Sequence, residues 1–254
     1  MPMSEFKTNQ QSIHINRYFA LMIVSLTIVR YRKTFIPIAL LAMGILRLPM
    51  FFQQKCSFWK LMGSGKNGTF DLNPDWQQWS LFAVWEDETS FQQFDQHSFI
   101  SNWWKTFTQE KWTVLLEPLQ SHGKWNKKEP FGQPKIPDYK GTIAVLTRAT
   151  LNVNRLKHFW QNASKIAAIM TSAPGYITSF GIGEDPFLHQ ATFSFWKDLK
   201  DVKNFAYKSP EHVEVIKKTR SENWYSEELF ARFKPVKAWG TLQGKNPLEG
   251  FISA

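Results

Sequence analysis

The sequence predicts an α+β fold: two tandem ferredoxin-like β-α-β-β-α-β repeats in one chain, packed as an intrachain version of the dimeric-type α+β barrel. Three observations carry this expectation. Apolar periodicity gives the same order of strands and helices twice over the 254 residues. Side chains repeat with the pattern: Phe82, Trp85, Asp87 and Phe94 in "FAVWEDETSFQQF" align with Phe193, Trp196, Asp198 and Phe205 in "FSFWKDLKDVKNF" at a constant offset of 111, and Trp112 aligns with Trp224 at 112. The composition, 43% hydrophobic and 16% aromatic, suits sheets buried on both sides. A four-stranded sheet with helices on one face leaves an apolar face that needs a partner, and the second half supplies it.

The elements follow in order. Residues 1–17 read as a polar lead with no signal-like character. The first half, 18–120, opens with "ALMIVSLTIVRY", β-branched and continuous, hence a buried strand. "TFIPIALLAMGILRLPMFF" (34–52) follows. Its 19 residues contain Pro37, Gly44, Arg47 and Pro49, so it is read as a buried helix and its exit and not as a membrane span, with a membrane-dipping segment as the alternative. "SFWKLMGSGKNGTF" and "WSLFAVWED" are strands, "ETSFQQFDQHSFISNWWKTF" an amphipathic helix, and "KWTVLLEPL" a strand. The stretch 121–141, rich in Pro, Gly and Lys, is expected to link the halves. In the second half, 142–245, "TIAVLTRATL", "GYITSFGIG" and "HQATFSFWKD" are strands and "NRLKHFWQNASKIAAIMTS" a helix. Residues 199–232 are expected to be helical with a break near Ser209-Pro210, before a closing strand in "RFKPVKAWGTL" and a tail at 246–254.

Several chemistries are excluded. The net charge of +10 is dispersed, apart from "RYRK" and "KKTR", and no nucleic-acid module is recognisable, so an anionic membrane surface is the better partner for the charge. One cysteine, Cys56, permits neither an internal disulfide nor zinc-finger spacing, which suits a cytoplasmic protein. "GSGKNG" lacks P-loop spacing. In "GIGEDP", Gly181 and Gly183 supply half of a dinucleotide fingerprint, but Glu184 and Asp185 repel phosphate and a strand follows where a helix is required. That stretch reads as a hairpin connection tolerating positive φ. No G-x-S-x-G elbow is present, and the six histidines are scattered. A single histidine beside an apolar slot is enough for heme, however. His189, after the turn and before an apolar strand, is one candidate and His158 a second, each with an ordinary surface role as the alternative. No catalytic residue is assigned.

Long ordered motifs then carry a resemblance. "FWKLMGSGKNGTF" (58–70), "WTVLLEPLQSHGKW" (112–125), "LTRATL" (146–151), "GIGEDPFLHQATFSFW" (181–196) and "WYSEELFARFKP" (224–235) resemble the spheroidene monooxygenase family over about residues 18–245. The resemblance implies a heme-dependent monooxygenase that uses O2 and reduced ferredoxin to oxidise an acyclic carotenoid at C2 of its end group, working in the cytoplasm or peripherally at the inner membrane. It makes His189 the proximal iron ligand and gives Arg148 and Arg232 to the heme propionates, with pairing to Glu184 or Glu228 as the alternative. Gly181 and Gly183 then bring the backbone close to heme or shape the turn, and Trp59, Trp85, Phe193 and Trp196 line an apolar pocket. Two other readings fit the same barrel: a heme lyase of the aldoxime dehydratase type, and a non-catalytic heme- or lipid-binding protein.

Overall fold

The computed structural model describes residues 22–66, 73–134, 139–208 and 210–252. The expected lead at 1–17 lies outside them. Eight strands form one closed antiparallel barrel: β1 (Ile23–Tyr31), β2 (Cys56–Gly65), β3 (Pro74–Trp85), β4 (Thr108–Gly123), β5 (Ile143–Leu151), β6 (Tyr176–Gly183), β7 (His189–Trp196) and β8 (Tyr225–Gly240). Their order around the barrel is β1-β3-β2-β6-β7-β5-β8-β4. Each half contributes four consecutive strands in the ferredoxin-like order, so the tandem repeat of the sequence is the pseudo-twofold of the fold.

Helices α1 (Ile36–Ile45), α2 (Arg47–Phe51), α3 (Glu88–His97) and α4 (Phe99–Phe107) cover the first half from outside. Helices α5 (Leu156–Thr171), α6 (Leu199–Lys208) and α7 (Pro210–Ser221) cover the second. The residues that announced the repeat explain themselves here. Asp87 caps α3, accepting from the Ser90 amide at 2.7 Å, and Asp198 does the same for α6 through Asp201 at 2.8 Å. Trp85 leans on Phe94 with ring centroids 4.7 Å apart, and Trp196 on Phe205 at 5.2 Å.

Alternation splits the strands between two environments. Val24, Leu26 and Ile28 of β1, Phe82 and Val84 of β3, Ala144 and Leu146 of β5, Phe193 and Phe195 of β7, and Leu229, Ala231 and Phe233 of β8 fill the barrel. The opposite parity, including Ile23, Val29, Trp85, Ile143, Val145 and Trp196, packs under the helices. Each fully buried apolar side chain stabilises the fold by roughly 1.5–3 kcal/mol, so the barrel interior is a packed core and not a channel.

Three expectations change. The stretch "WYSEELFAR", expected to extend a helix, belongs to β8. Its Glu residues favour helix intrinsically, but Leu229, Ala231 and Phe233 alternate with outward side chains, and burial of that face overrides propensity. Trp112 does not correspond to Trp224. β4 and β8 are both 16 residues long and start at 108 and 225, so the counterpart of Trp112 is Leu229. The apolar stretch 34–52 is helical as expected, but only Ala39, Ala42, Leu46 and Met50 are buried in it, while Leu40, Leu41, Ile45, Leu48, Phe51 and Phe52 face outward.

The loops after β4 and β8 close the two ends of the barrel, and they too are related. Both strands end in a positive-φ glycine, Gly123 or Gly240, followed by a tight turn with a single bridge, Trp125 to Lys128 or Leu242 to Lys245. In the first loop the carboxylate of Glu227 accepts the amides of Asn126 and Lys127, and in the second Glu110 accepts those of Gln243 and Gly244. Trp125, Phe131, Leu242 and Leu248 then enter the core. Within 121–141, therefore, Ser121–Gly123 complete β4 and Trp125 and Phe131 seal one mouth of the barrel.

Candidate functional site

Two regions concentrate the predicted site residues. The first is the mouth closed by Trp125. Arg148 of β5 shares the inward parity of Ala144 and Leu146, and only 1% of it is exposed. Its guanidinium donates to Glu227, to Glu184 at 3.4 Å and to Asn126 Oδ1 at 3.3 Å, and it lies 5.7 Å from the Trp125 ring. Glu184 also receives the Trp125 indole N–H at 2.7 Å and pairs with Lys60. Burial works to raise the Glu227 carboxyl, but the Lys127 and Asn126 amides and Arg148 outweigh it and hold the group below the ordinary carboxylate value. Arg148 is thus a latch between the plug loop and the second half. Of its two expected carboxylate partners Glu184 is present, and Glu227 stands where Glu228 was expected.

His189 opens β7 beside this mouth. Its side chain is part of a closed turn. Asp185 Oδ1 accepts the amides of Phe187 at 2.9 Å and Leu188 at 2.6 Å, while Oδ2 accepts from His189 Nδ1. Burial pushes the Asp185 carboxyl up, but the His189 hydrogen bond and the Leu188 and Phe187 amides bring it below its ordinary value. A carboxylate on Nδ1 is the arrangement that orients a metal-binding imidazole through Nε2. The barrel interior beside it is filled, however. The next inward residues of β7, Ala191 and Phe193, are buried in the filled core. The stretch "GIGEDP" is the expected hairpin connection, joining β6 to β7, but Gly181 and Gly183 are strand residues without positive φ. Gly183 is needed because the turn folds back over it: a Cβ there would meet the Asp185 carbonyl at 2.8 Å.

The second region is an outer cleft of about 740 Å³ where β4 and the loop after it meet the second half. Its walls include Leu119, Gln120 and His122 of β4, Tyr139, Leu199 of α6 and Arg232 of β8. That volume falls within the range of small-molecule sites, about 300–1,000 Å³. Arg232 donates to Gln120 Oε1 at 2.9 Å and packs 5.1 Å from the Phe230 ring. Its Nε is buried without an acceptor, and among the described residues no carboxylate lies within ion-pair distance, although Glu129 is on the wall of the same cleft. Burial lowers the guanidinium pKa. A partly desolvated cation with a spare donor suits an anionic group on a ligand. His122 lies against Phe230 on the same wall, with ring centroids 5.2 Å apart.

The predicted residues are therefore divided. Arg148 and His189 belong to the mouth, and Arg232 to the outer cleft. Phe193 is in the barrel core, Trp85 and Trp196 lie under the helices, and Trp59 packs edge-on against Phe51 at 5.2 Å on the outer face of the first half. None of these four aromatics lines the cleft. His158, on α5, is exposed and bonds Glu222. Sequence reasoning missed Trp125, Glu227 and His122. The parallel between "GKWNKKEPF" and "GTLQGKNPL", 117 residues apart, is the signal that pointed to the plug.

This architecture is that of a dimeric α+β barrel folded from one chain. An aldoxime dehydratase crystallised with butyraldoxime shares it with a TM-score of 0.62 at 11% identity, over 91% of this chain and 84% of the other. A family model described as a domain of unknown function (DUF3291) matches residues 140–234. The chain is also 37% identical to a spheroidene monooxygenase of Cereibacter sphaeroides over 82% of its own length and 64% of the relative's, so it spans a little under two thirds of that protein. It is 30% identical to the spheroidene monooxygenase of Rhodobacter capsulatus, over 89% of this chain and 95% of the relative. The chain belongs to the spheroidene monooxygenase family.

Proposed function

We infer that the protein is an oxygen-using monooxygenase of acyclic carotenoids. The observation that carries this is the similarity to relatives named spheroidene monooxygenase over 82% and 89% of the chain, which includes both halves of the barrel. One oxygen atom of O2 enters a C–H bond at C2 of the end group and the other leaves as water, with two electrons from reduced ferredoxin and two protons. A second round gives the ketone. Turnover without O2 or a reductant would instead favour the dehydratase reading.

The residues first assigned to heme do not form one site, because His189 and Arg148 are separated from Arg232. Of these three, Arg232 fits: Arg148 and Arg232 each have a buried Nε without an acceptor, but the Arg148 guanidinium is held by Glu227 and Glu184, whereas the half-buried Arg232 forms no ion pair among the described residues and lines a cleft of suitable volume. In this reading the outer cleft would hold heme, with Arg232 to pair a propionate and His122 to supply the imidazole. Bound heme supplies the binding and activation of O2. Leu119, Ile143 and Leu199 give the cleft apolar wall for a carotenoid end group.

Two measurements test this. Expression in a carotenoid-producing host, followed by pigment mass analysis, is expected to show the gain of one oxygen atom, or of one oxygen less two hydrogens. Unchanged pigment refutes the reaction. Titration of the purified protein with heme is expected to give a Soret band that His122→Ala and Arg232→Met weaken and His189→Ala leaves intact. The reverse pattern returns the iron to His189.

A further inference from the structure

The net charge of the chain is unevenly distributed. Between residues 6 and 70 there are nine Lys and Arg and not one Asp or Glu, so this quarter of the sequence holds most of the formal +10. The same segment contains the apolar helix pair α1–α2. Residues Lys33–Phe51 run as 19 helical residues with mean hydropathy 1.8, and only 22% of that stretch is buried. Ala39, Ala42, Leu46 and Met50 sit against the barrel, a spacing of one helical face. The opposite face is equally apolar and open: Leu41 is 61% exposed, Leu48 64% and Phe52 80%, with Leu40 and Ile45 beside them.

A soluble surface seldom leaves such a contiguous apolar patch uncovered. A helix that left the barrel to span a bilayer would uncover the apolar barrel surface beneath Ala39, Ala42, Leu46 and Met50, so the outer face is used with the helix pair lying flat. Arg32 and Lys33 flank it at one end, Lys55 lies just past the other, and Arg47 stands within it. All four are exposed, and none forms an ion pair among the described residues. Asp87 lies near Lys55, but α1–α2 itself carries no anion, and an apolar face edged by cations matches the interface of an anionic bilayer, where acyl chains meet negative headgroups.

We propose that the outer face of α1–α2 docks the protein onto an anionic lipid bilayer, lying in the interfacial plane with Leu41, Leu48 and Phe52 inserted and Arg32, Lys33, Arg47 and Lys55 on the headgroups. This deepens the reading of the preceding subsection, because an apolar substrate dissolved in the membrane then reaches the enzyme without crossing water. The docking itself does not depend on that reaction.

The test uses the full chain and sedimentation with vesicles of phosphatidylcholine, with and without phosphatidylglycerol. The wild type is expected to bind vesicles containing phosphatidylglycerol at least about tenfold more tightly, and to be released by salt. L41E/L48E/F52E is expected to lose at least about tenfold in affinity with unchanged circular dichroism. R47E/K55E, which leaves the apolar face intact, gives a second measure of the same loss. Absence of binding by folded wild type overturns the proposal, as does wild-type binding by both variants. A dimer in solution that L41E/L48E/F52E converts to monomer, without vesicle binding, assigns the face to a second copy and also overturns it. Vesicle binding without pigment turnover leaves the docking intact and refutes only the reaction.

Discussion

Removing Arg148 tests whether the barrel mouth is a structural latch or a ligand site. Arg148→Met keeps the length of the side chain but leaves Glu227 and Glu184 facing each other without their shared cation. Truncating one partner of a buried pair costs about 3–5 kcal/mol. The two carboxylates retain 21% and 17% side-chain exposure, so the low end, about 3 kcal/mol, is expected here. Glu227→Gln keeps an acceptor for only one of the Asn126 and Lys127 amides, which bond different carboxylate oxygens, and is expected to cost about 1–3 kcal/mol. The double variant is expected to fall short of the sum by about 1–3 kcal/mol, because the second change removes a charge that the first has stranded. Urea denaturation of the four proteins supplies the cycle. The pH dependence follows from the Glu227 carboxyl, which lies below its ordinary value when folded. A depressed carboxyl contributes stability that is present above the unfolded value of about 4.3 and is lost as pH falls through the folded value. The gap between wild type and R148M is therefore expected to be largest at neutral pH and to shrink in acid. Additive single effects, or an R148M cost under about 1 kcal/mol, would refute the latch. Intact stability with lost heme binding would return Arg148 to a ligand role.

Three further expectations follow. Gly123→Ala and Gly240→Ala are each expected to destabilise by more than about 1 kcal/mol, since a Cβ would lie 2.2 Å from the Glu228 carbonyl and 2.0 Å from that of Lys111, in backbone at positive φ; matched losses in thermal denaturation check that the two plug loops are equivalent, and a silent substitution argues against it. Burial raises the Cys56 thiol to about 12, so iodoacetamide at pH 8 is expected to modify native protein roughly a thousandfold more slowly than an unfolded control, and equal rates would refute this. Asp185→Asn loses the charge that gathers three backbone amides and the His189 ring, and is expected to cost about 1–3 kcal/mol and to accelerate amide exchange at Phe187 and Leu188, with unchanged exchange as the contrary result.

The fold was legible because its repeat is written in side chains with the same task. Trp85 and Trp196 each cover a helix, and Asp87 and Asp198 each cap one, so the alignment at 111 follows packing. Elsewhere the offset drifts. β1 and β5 begin at 23 and 143, and β4 and β8 at 108 and 225. Insertions between elements therefore hid the correspondence of the two plug loops, and Trp112 was matched to the wrong partner. β8 was hidden for a different reason: glutamates that favour a helix locally lie on a strand fixed by three inward residues. The site was less legible than the fold. Arg148 meets Glu227 across 79 residues and Glu184 across 36, and no local pattern announces such pairs. Arg232 and His122 come together only because β4 and β8 pair for most of their length.

Linking the two halves has a consequence beyond stability. In a barrel assembled from identical subunits, every change to one face is copied onto the other. Here the sealing side chains are Trp125 and Phe131 at one mouth but Leu242 and Leu248 at the other. Covalent fusion has freed each half to diverge, so that the first alone carries the apolar outer helix pair and Arg232 of the second faces a cleft built mostly by β4 and the loop after it, a division of labour closed to a homodimer.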